Sequence, residues 1–303
     1  MANSIKALAF GEVLFDVIEN TEHLGGAPLN LAAHLAQCGA AAEMISAVGS
    51  DQRGEKAIKM ISGYGVKTDY IARDNEHPTG IVNVELSDGQ PSYTICRDVA
   101  YDYITLDDKQ IKKIRDGHYD IFCFGTLAQR SDVSRGSLNR LLDNLDGVDV
   151  FYDVNLRQNY YSKEIIEQSL HRSDIVKLND DEARFLSSYL YGQNLPPEEF
   201  ARRTCSRYGV RIAVITMGER GSGVFADGEY AECPGEKVKV ADTVGAGDAF
   251  GAAFIYQLYS GNDAVNAARI ANKIGAYVAS CNGAIPKYNE HIKAVLISRQ
   301  GGP

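Results

Sequence analysis

The stretch DTVGAGDAF, residues 242–250, decides the reading of this chain. It follows a strand-like run, KVKV at 237–240, and opens an apolar helix over 248–260. Gly245, Ala246 and Gly247 carry little or no side chain, so their backbone N–H groups can come close to an anion. A helix N-terminus suits anion binding, because its first donors have no partner inside the helix and the dipole favours negative charge. The segment is a phosphate site in outline, and its bland counterpart is a tight turn before a packed helix. Asp248 adds a choice. A carboxylate beside a phosphate costs affinity by like-charge repulsion, yet a general base must stand there to take the proton of an attacking hydroxyl. Asp is equally at home as a helix N-cap, worth about 1 kcal/mol. The segment alone leaves both open.

Two common nucleotide motifs are missing. No G-x-x-x-x-G-K-[ST] occurs, and Phe250 stands where G-x-G-x-x-G needs its third glycine, which disfavours a dinucleotide oxidoreductase. Outside 242–250, short apolar runs alternate with helical patterns. Strands are expected at 5–10, 43–48, 120–125, 149–154, 174–178 and 211–216. Helices are expected at 29–38, 55–63, 107–115, 134–145, 163–171, 180–190, 197–208 and 262–280. Compact apolar strands alternating with helices predict an α/β fold with a mostly parallel central sheet covered on both faces. One region breaks the rhythm. Residues 81–86 and 93–96 flank the turn signal Ser87-Asp88-Gly89-Gln90-Pro91 and alternate like a half-exposed antiparallel hairpin. Residues 12–18 alternate too. A single domain over 1–303 is expected, with a small β lid from about 12–24 and 79–104; an extension of the main sheet is the plainer alternative. Gly301, Gly302 and Pro303 are expected to fray.

Composition narrows the function. Lys plus Arg is 31 and Asp plus Glu is 40, a net charge of −9. A field of that sign opposes nucleic acid and anionic membranes. The six cysteines, at 38, 96, 123, 205, 233 and 281, form no C-x-x-C pair and suit a reducing cytoplasm. Gly11, Glu12 and Asp16 interrupt any signal-peptide core, and no run approaches the ~18 apolar residues of a membrane span.

The 242–250 segment resembles the C-terminal signature D-T-x-G-A-G-D-x-F of the ribokinase-like carbohydrate kinases, the PfkB family. Gly25-Gly26-Ala27-Pro28-Leu29-Asn30-Leu31-Ala32 looks like that family's N-terminal signature in its fructokinase form, and Gly11-Glu12-x-x-x-Asp16 is similar to fructokinases as well. Asp153-Val-Asn-Leu-Arg157 is close to the family's D-x-N-x-R, Lys177-Leu-Asn179-Asp-Asp-Glu182 to its N-x-x-E, and Thr216-Met-Gly218-Glu-Arg-Gly221 to T-x-G-x-x-G. These blocks come in family order along essentially the whole chain.

The resemblance implies a ribokinase-like three-layer sandwich and an ATP-dependent sugar kinase, fructose to fructose 6-phosphate first. Kinases of 2-keto-3-deoxygluconate, ribose or a nucleoside are the alternatives; a non-catalytic sugar sensor is the alternative of another class. It makes Asp248 the base and Gly245, Ala246 and Gly247, with Asp248, the anion hole. Asp16, Gly26, Asn30, Arg97 and Arg157 would contact the sugar. Lys177, Asn179, Thr216, Gly218, Gly221 and Asn272 would border ATP. Asn179 and Glu182 would meet Mg²⁺ through water, although the same run reads as an acidic N-cap and first helical turn. The loop 280–284 would border a K⁺ ion. Arg97-Asp98-Val-Ala-Tyr101-Asp102 matches the fructokinase R-x-x-x-A-D only loosely, and Tyr101 and Tyr103 are expected to pack the lid against a second subunit rather than stack on sugar. A lid edge or face offers a route to a homodimer, and the cytoplasm is the expected location.

Overall fold

The computed structural model describes residues 5–18, 21–87 and 90–297. Asp88 and Gly89 of the expected turn, and the tail 301–303, lie outside the described residues. The chain starts with β1 (Lys6–Phe10), β2 (Leu14–Ile18), β3 (Thr21–Gly25) and α1 (Ala27–Cys38). Then come β4 (Ala41–Gly49), α2 (Gln52–Gly63), β5 (Lys67–Asp74), β6 (Gly80–Ser87) and β7 (Gln90–Ile95). Helices and strands next alternate through α3 (Asp108–Asp116), β8 (Ile121–Gly125), α4 (Asp132–Leu142), β9 (Asp149–Asp153), α5 (Lys163–His171) and β10 (Ile175–Asn179). After α6 (Asp180–Tyr191) and α7 (Pro197–Tyr208) come β11 (Ile212–Thr216), β12 (Ser222–Ala226) and β13 (Glu229–Cys233). The last helices are α8 (Ala246–Tyr259), α9 (Ala264–Ala279) and α10 (Glu290–Ile297).

Nine strands form the central sheet in the order β13-β12-β11-β10-β9-β8-β1-β4-β5, parallel except where β12 runs against both its neighbours. Period-2 alternation sorts its side chains between two cores. Ala7 and Ala9 of β1, and Ile121 and Cys123 of β8, face the layer of α1, α2, α8, α9 and α10. Leu8, Phe10, Phe122 and Phe124 face α3 to α7 on the other side. Burial on both faces is why these strands read as continuous apolar runs.

The lid region is a sheet of its own, ordered β3-β2-β6-β7, not an edge of the large one. β6 and β7 are the expected antiparallel pair, and β2 joins β6 in parallel. Every helix anticipated from the pattern is present, with ends moved by at most three residues. Four strands escape a reading based on apolar runs: β12, Ser222-Gly-Val-Phe-Ala226, whose apolar core is short, and the edge strands β3, β5 and β13. The edge strands bury only part of their length and carry charges, as in Lys67-Thr-Asp-Tyr-Ile-Ala-Arg-Asp74. The reverse error occurs at 237–240. That run is an exposed connection outside any ladder, with Val240 59% accessible. Its valines follow a strand pattern, yet Val238 and Val240 are both exposed, so no burial rewards a strand there.

Candidate active site

Asp153 at the C-terminal end of β9 and Lys177 of β10 lie against the N-terminus of α8. Gly245 is the residue before that helix and takes a left-handed conformation, φ 79°. A Cβ there would lie 2.2 Å from the Ala284 carbonyl oxygen, so only glycine fits. Asp248 is therefore the third helical residue and not the N-cap, and its carboxylate makes no capping bond. Instead the Asn30 amide, buried on the first turn of α1, donates to Asp248 Oδ2 at 2.8 Å. Burial pushes Asp248 up to about 6, helped by the Asp153 carboxylate; Lys177, the Asn30 amide and Arg157 pull the other way. Ala246 N–H closes a 3.3 Å turn onto Thr243, so Gly247 and Asp248 offer the first-turn donors that the helix cannot satisfy. The geometry places a carboxylate of raised pKa beside the unpaired N–H groups at the start of α8.

A buried ion pair lies beneath. Lys177 Nζ donates to Asp153 Oδ2 at 2.8 Å, and both side chains are under a tenth exposed. Burial alone would lower the Lys177 ammonium; Asp153, with Asp248 and Glu182 behind it, outweighs that and raises it. A Cβ on Gly247 would sit 3.5 Å from Nζ, so the positive charge lies directly under the helix start. Asp153 Oδ1 and Asn30 Oδ1 are buried without a partner, two acceptors beside the same spot.

The lid side adds further polar groups. Gly26, at φ 119°, precedes α1, and a Cβ on it would meet the Glu12 carbonyl oxygen at 2.2 Å. Glu12 is buried, with Oε2 unpartnered, and burial pushes its carboxyl up to about 7. Asp16, on β2, is raised by burial and pulled back by His23 and Arg157. Arg157 is exposed just past β9, and its charge acts on Glu12, Asp16 and Asp248 together. Arg97 is also exposed and lies 4.9 Å over the Tyr160 ring. Tyr101 packs inside its own chain and not against a second subunit: it is fully buried, with the Arg130 guanidinium over its ring and over that of Tyr160. Tyr103 stacks on His77 at 3.6 Å.

At the other end the side chains are largely spent on structure. Asn179 and Glu182 form a reciprocal capping box at the start of α6, each accepting from the other's backbone N–H at 2.8 Å. Glu182 Oε1 also accepts from Leu156 N–H at 2.7 Å. Among the described residues no group of three or more His, Cys, Asp or Glu side chains could hold a metal directly. Thr216 ends β11. Gly218 and Gly221 turn the chain with positive φ, and a Cβ on Gly221 would strike the Cys233 carbonyl. Asn272 is buried in α9 and donates to the Cys233 and Pro234 carbonyls, holding that connection to the helix.

The family model described as pfkB family carbohydrate kinase matches residues 3–291. The chain belongs to the pfkB family of carbohydrate kinases. A fructokinase of Escherichia coli is 27% identical over 304 residues, covering 93% of this chain and 95% of that one. An uncharacterized sugar kinase from Pyrococcus horikoshii, solved in complex with ATP, superposes with a TM-score of 0.80. It is 28% identical and covers 93% of this chain and 94% of that one. A fructokinase from Xylella fastidiosa with bound ATP shares the fold, with a TM-score of 0.84 at 22% identity over 96% of this chain and 98% of that one.

Sequence reasoning about this pfkB kinase overlooked three residues that the structure puts at or against the site. Asp153 was only the first letter of a motif, because its partner Lys177 is 24 residues away. Glu12 was one letter of a block. His34 lies within the expected helix 29–38 with no motif to mark it, yet both its ring nitrogens are hydrogen-bonded. Each depends on a contact distant in sequence, which no local pattern carries.

Proposed function

We propose that the protein transfers the γ-phosphoryl group of ATP to a primary hydroxyl of a sugar, with fructose, giving fructose 6-phosphate, as the first candidate. The observation carrying this reading is Asp248, oriented by Asn30, beside the unsatisfied N–H groups at the start of α8. Asp248 takes the proton of the attacking hydroxyl. The Gly247 and Asp248 N–H groups, with Ala246 and Gly245 shaping the turn and Lys177 beneath, stabilise charge on the moving phosphoryl. Asp16, Gly26, Asn30, Arg97 and Arg157 line the acceptor side and orient the sugar. The small sheet closes over it and excludes water, a competing acceptor. Thr216, Gly218 and Gly221 border the nucleotide. Asn272 shapes the wall behind it.

Mg²⁺, brought with ATP, supplies charge neutralisation on the phosphates. The residues fit it as an outer-sphere ion: Glu182 and Asn179 keep unused lone pairs, and Mg²⁺ retains several waters. A second acceptor class, the sugar acid 2-keto-3-deoxygluconate, is favoured by one observation. Arg97 and Arg157 are both exposed and pair with no carboxylate among the described residues.

ADP release with Mg·ATP is the test, run against fructose, 2-keto-3-deoxygluconate, ribose, adenosine, fructose 1-phosphate and fructose 6-phosphate. Turnover on fructose above the others is expected. Preference for the sugar acid would select the second reading, and silence across the panel would remove the kinase assignment.

The rate should also carry the signature of Asp248. Its ionised form is the base, and its pKa is raised to about 6. The kcat/KM of the active acceptor should fall on acidification through pH 6, about tenfold per unit below it. A pH–rate profile flat to pH 5 would remove Asp248 from the role of base.

A further inference from the structure

Two side chains of α1 hold the chain between α9 and α10. His34 is fully buried. Its Nε2 lies 2.9 Å from the Ala284 carbonyl oxygen, which can only accept, so Nε2 carries the hydrogen. Nδ1 is then the acceptor, and the Tyr288 hydroxyl donates to it at 2.8 Å. The rings stack at 5.6 Å. Burial pushes the imidazole down to about 4, so this tautomer stays neutral through the physiological range. One turn further on, Gln37 Nε2 donates to the Pro286 carbonyl at 3.1 Å, and Gln37 Oε1 accepts from Tyr288 N–H at 2.9 Å. The segment 281–289 is neither helix nor strand, so side-chain bonds of this kind are what locate it.

The other side of the segment touches the site. Ala284 backbone is packed on Gly245, where a Cβ would lie 2.2 Å from its oxygen and 2.7 Å from its Cα. Gly283 N–H reaches Asp242 Oδ2 at 3.3 Å. The Ala284 carbonyl is thus clamped between His34 and the left-handed residue that starts α8. Asn30, one turn before His34 on the same helix, aims Asp248 directly. Helix α1 therefore meets the start of α8 twice, once at the carboxylate and once through Ala284 at the backbone.

We propose that His34 and Gln37 are positioning residues for phosphoryl transfer: they latch 284–288 against Gly245 and so fix the direction of the Gly247 and Asp248 N–H donors. The catalytic consequence rests on the function proposed above; the latch itself does not. Donors act on the moving phosphoryl group only when held in place, and a displacement of about 1 Å can cost about a hundredfold in rate.

The test compares wild type, His34→Ala and His34→Gln, each confirmed as folded by circular dichroism and thermal melting. Two readouts are taken, steady-state kinetics and amide hydrogen exchange of 243–249. In His34→Ala the kcat should fall ten- to a hundredfold with the sugar KM within about twofold, because Asn30 is untouched. Exchange at 243–249 should quicken about tenfold. His34→Gln keeps an N–H for Ala284 and should recover most of the kcat. A His34→Ala kcat within threefold of an active wild type overturns the proposal, and so does a Gln variant as impaired as Ala. Unchanged exchange overturns it even if wild type is silent on every acceptor, an outcome that separately sinks the kinase assignment. If His34→Ala does not fold, Tyr288→Phe replaces it. That change frees the tautomer alone and should lower kcat severalfold at constant KM and quicken exchange; no change in either overturns the latch.

Discussion

Asp248→Asn is expected to lower kcat at least a hundredfold, and by about 10⁴-fold at the upper end of what a general base contributes. The fold and the binding of sugar should survive. Asparagine has the shape of aspartate, and its carbonyl oxygen still accepts the Asn30 amide proton that now reaches Oδ2 at 2.8 Å. What it lacks is basicity. Stability should not suffer, as the sign of the pKa shift shows. Burial raises Asp248 to about 6 in the folded protein from 3.8. Between those values the folded state binds more protons than the unfolded one, so stability falls as pH rises through that window. At pH 7 the ionised carboxylate therefore destabilises, and the neutral amide removes that cost along with the repulsion from Asp153. The melting temperature of the variant at pH 7 should equal or exceed that of wild type, and calorimetric titration with the sugar should give a similar affinity. A variant that turns over within tenfold of wild type, or that unfolds, would remove Asp248 from the role of base.

The sequence made the place of this site legible but not its internal assignments. DTVGAGDAF marked the start of a helix, because glycines there have a backbone reason. It could not say which residue was the cap, and the structure gives that place to Gly245 because Ala284, 39 residues on, leaves no room for a Cβ. Asn179 and Glu182 were legible as a helix start from spacing alone, since a capping box is local. The central parallel strands were legible because burial on both faces demands uninterrupted apolar residues, whereas the short antiparallel β12 was not. Edge strands β3, β5 and β13 face that demand only partly. The small sheet showed its hairpin, while the parallel pairing of β2 with β6 joins segments about 65 residues apart and leaves no local trace. Lys177 and Asp153 were both within recognised blocks, yet only the fold shows them as one buried pair.

Breaking that pair should have the largest effect on stability. Lys177→Met keeps the length of the side chain and removes its charge, leaving Asp153 without its ion-pair partner and under a tenth exposed. Loss of one partner from a buried pair typically costs about 3–5 kcal/mol, because the remaining polar group has neither water nor its partner. Asp153 Oδ1 already lacks a partner, so the variant would leave the whole carboxylate unsupported. Urea unfolding should show that loss, and the double variant Lys177→Met with Asp153→Leu should regain most of it. Catalysis supplies an independent reading of the same electrostatics. Lys177 lowers the Asp248 pKa and Asp153 raises it. The acidic limb of the rate profile should therefore move above pH 6 in Lys177→Met and below it in Asp153→Asn. A Lys177→Met variant less than about 1 kcal/mol down in stability, with its acidic limb unmoved, would mean that the pair is solvated in solution and does not tune the base. Shifts of opposite sign in the two single variants would identify the buried pair as what sets the pH at which Asp248 takes its proton.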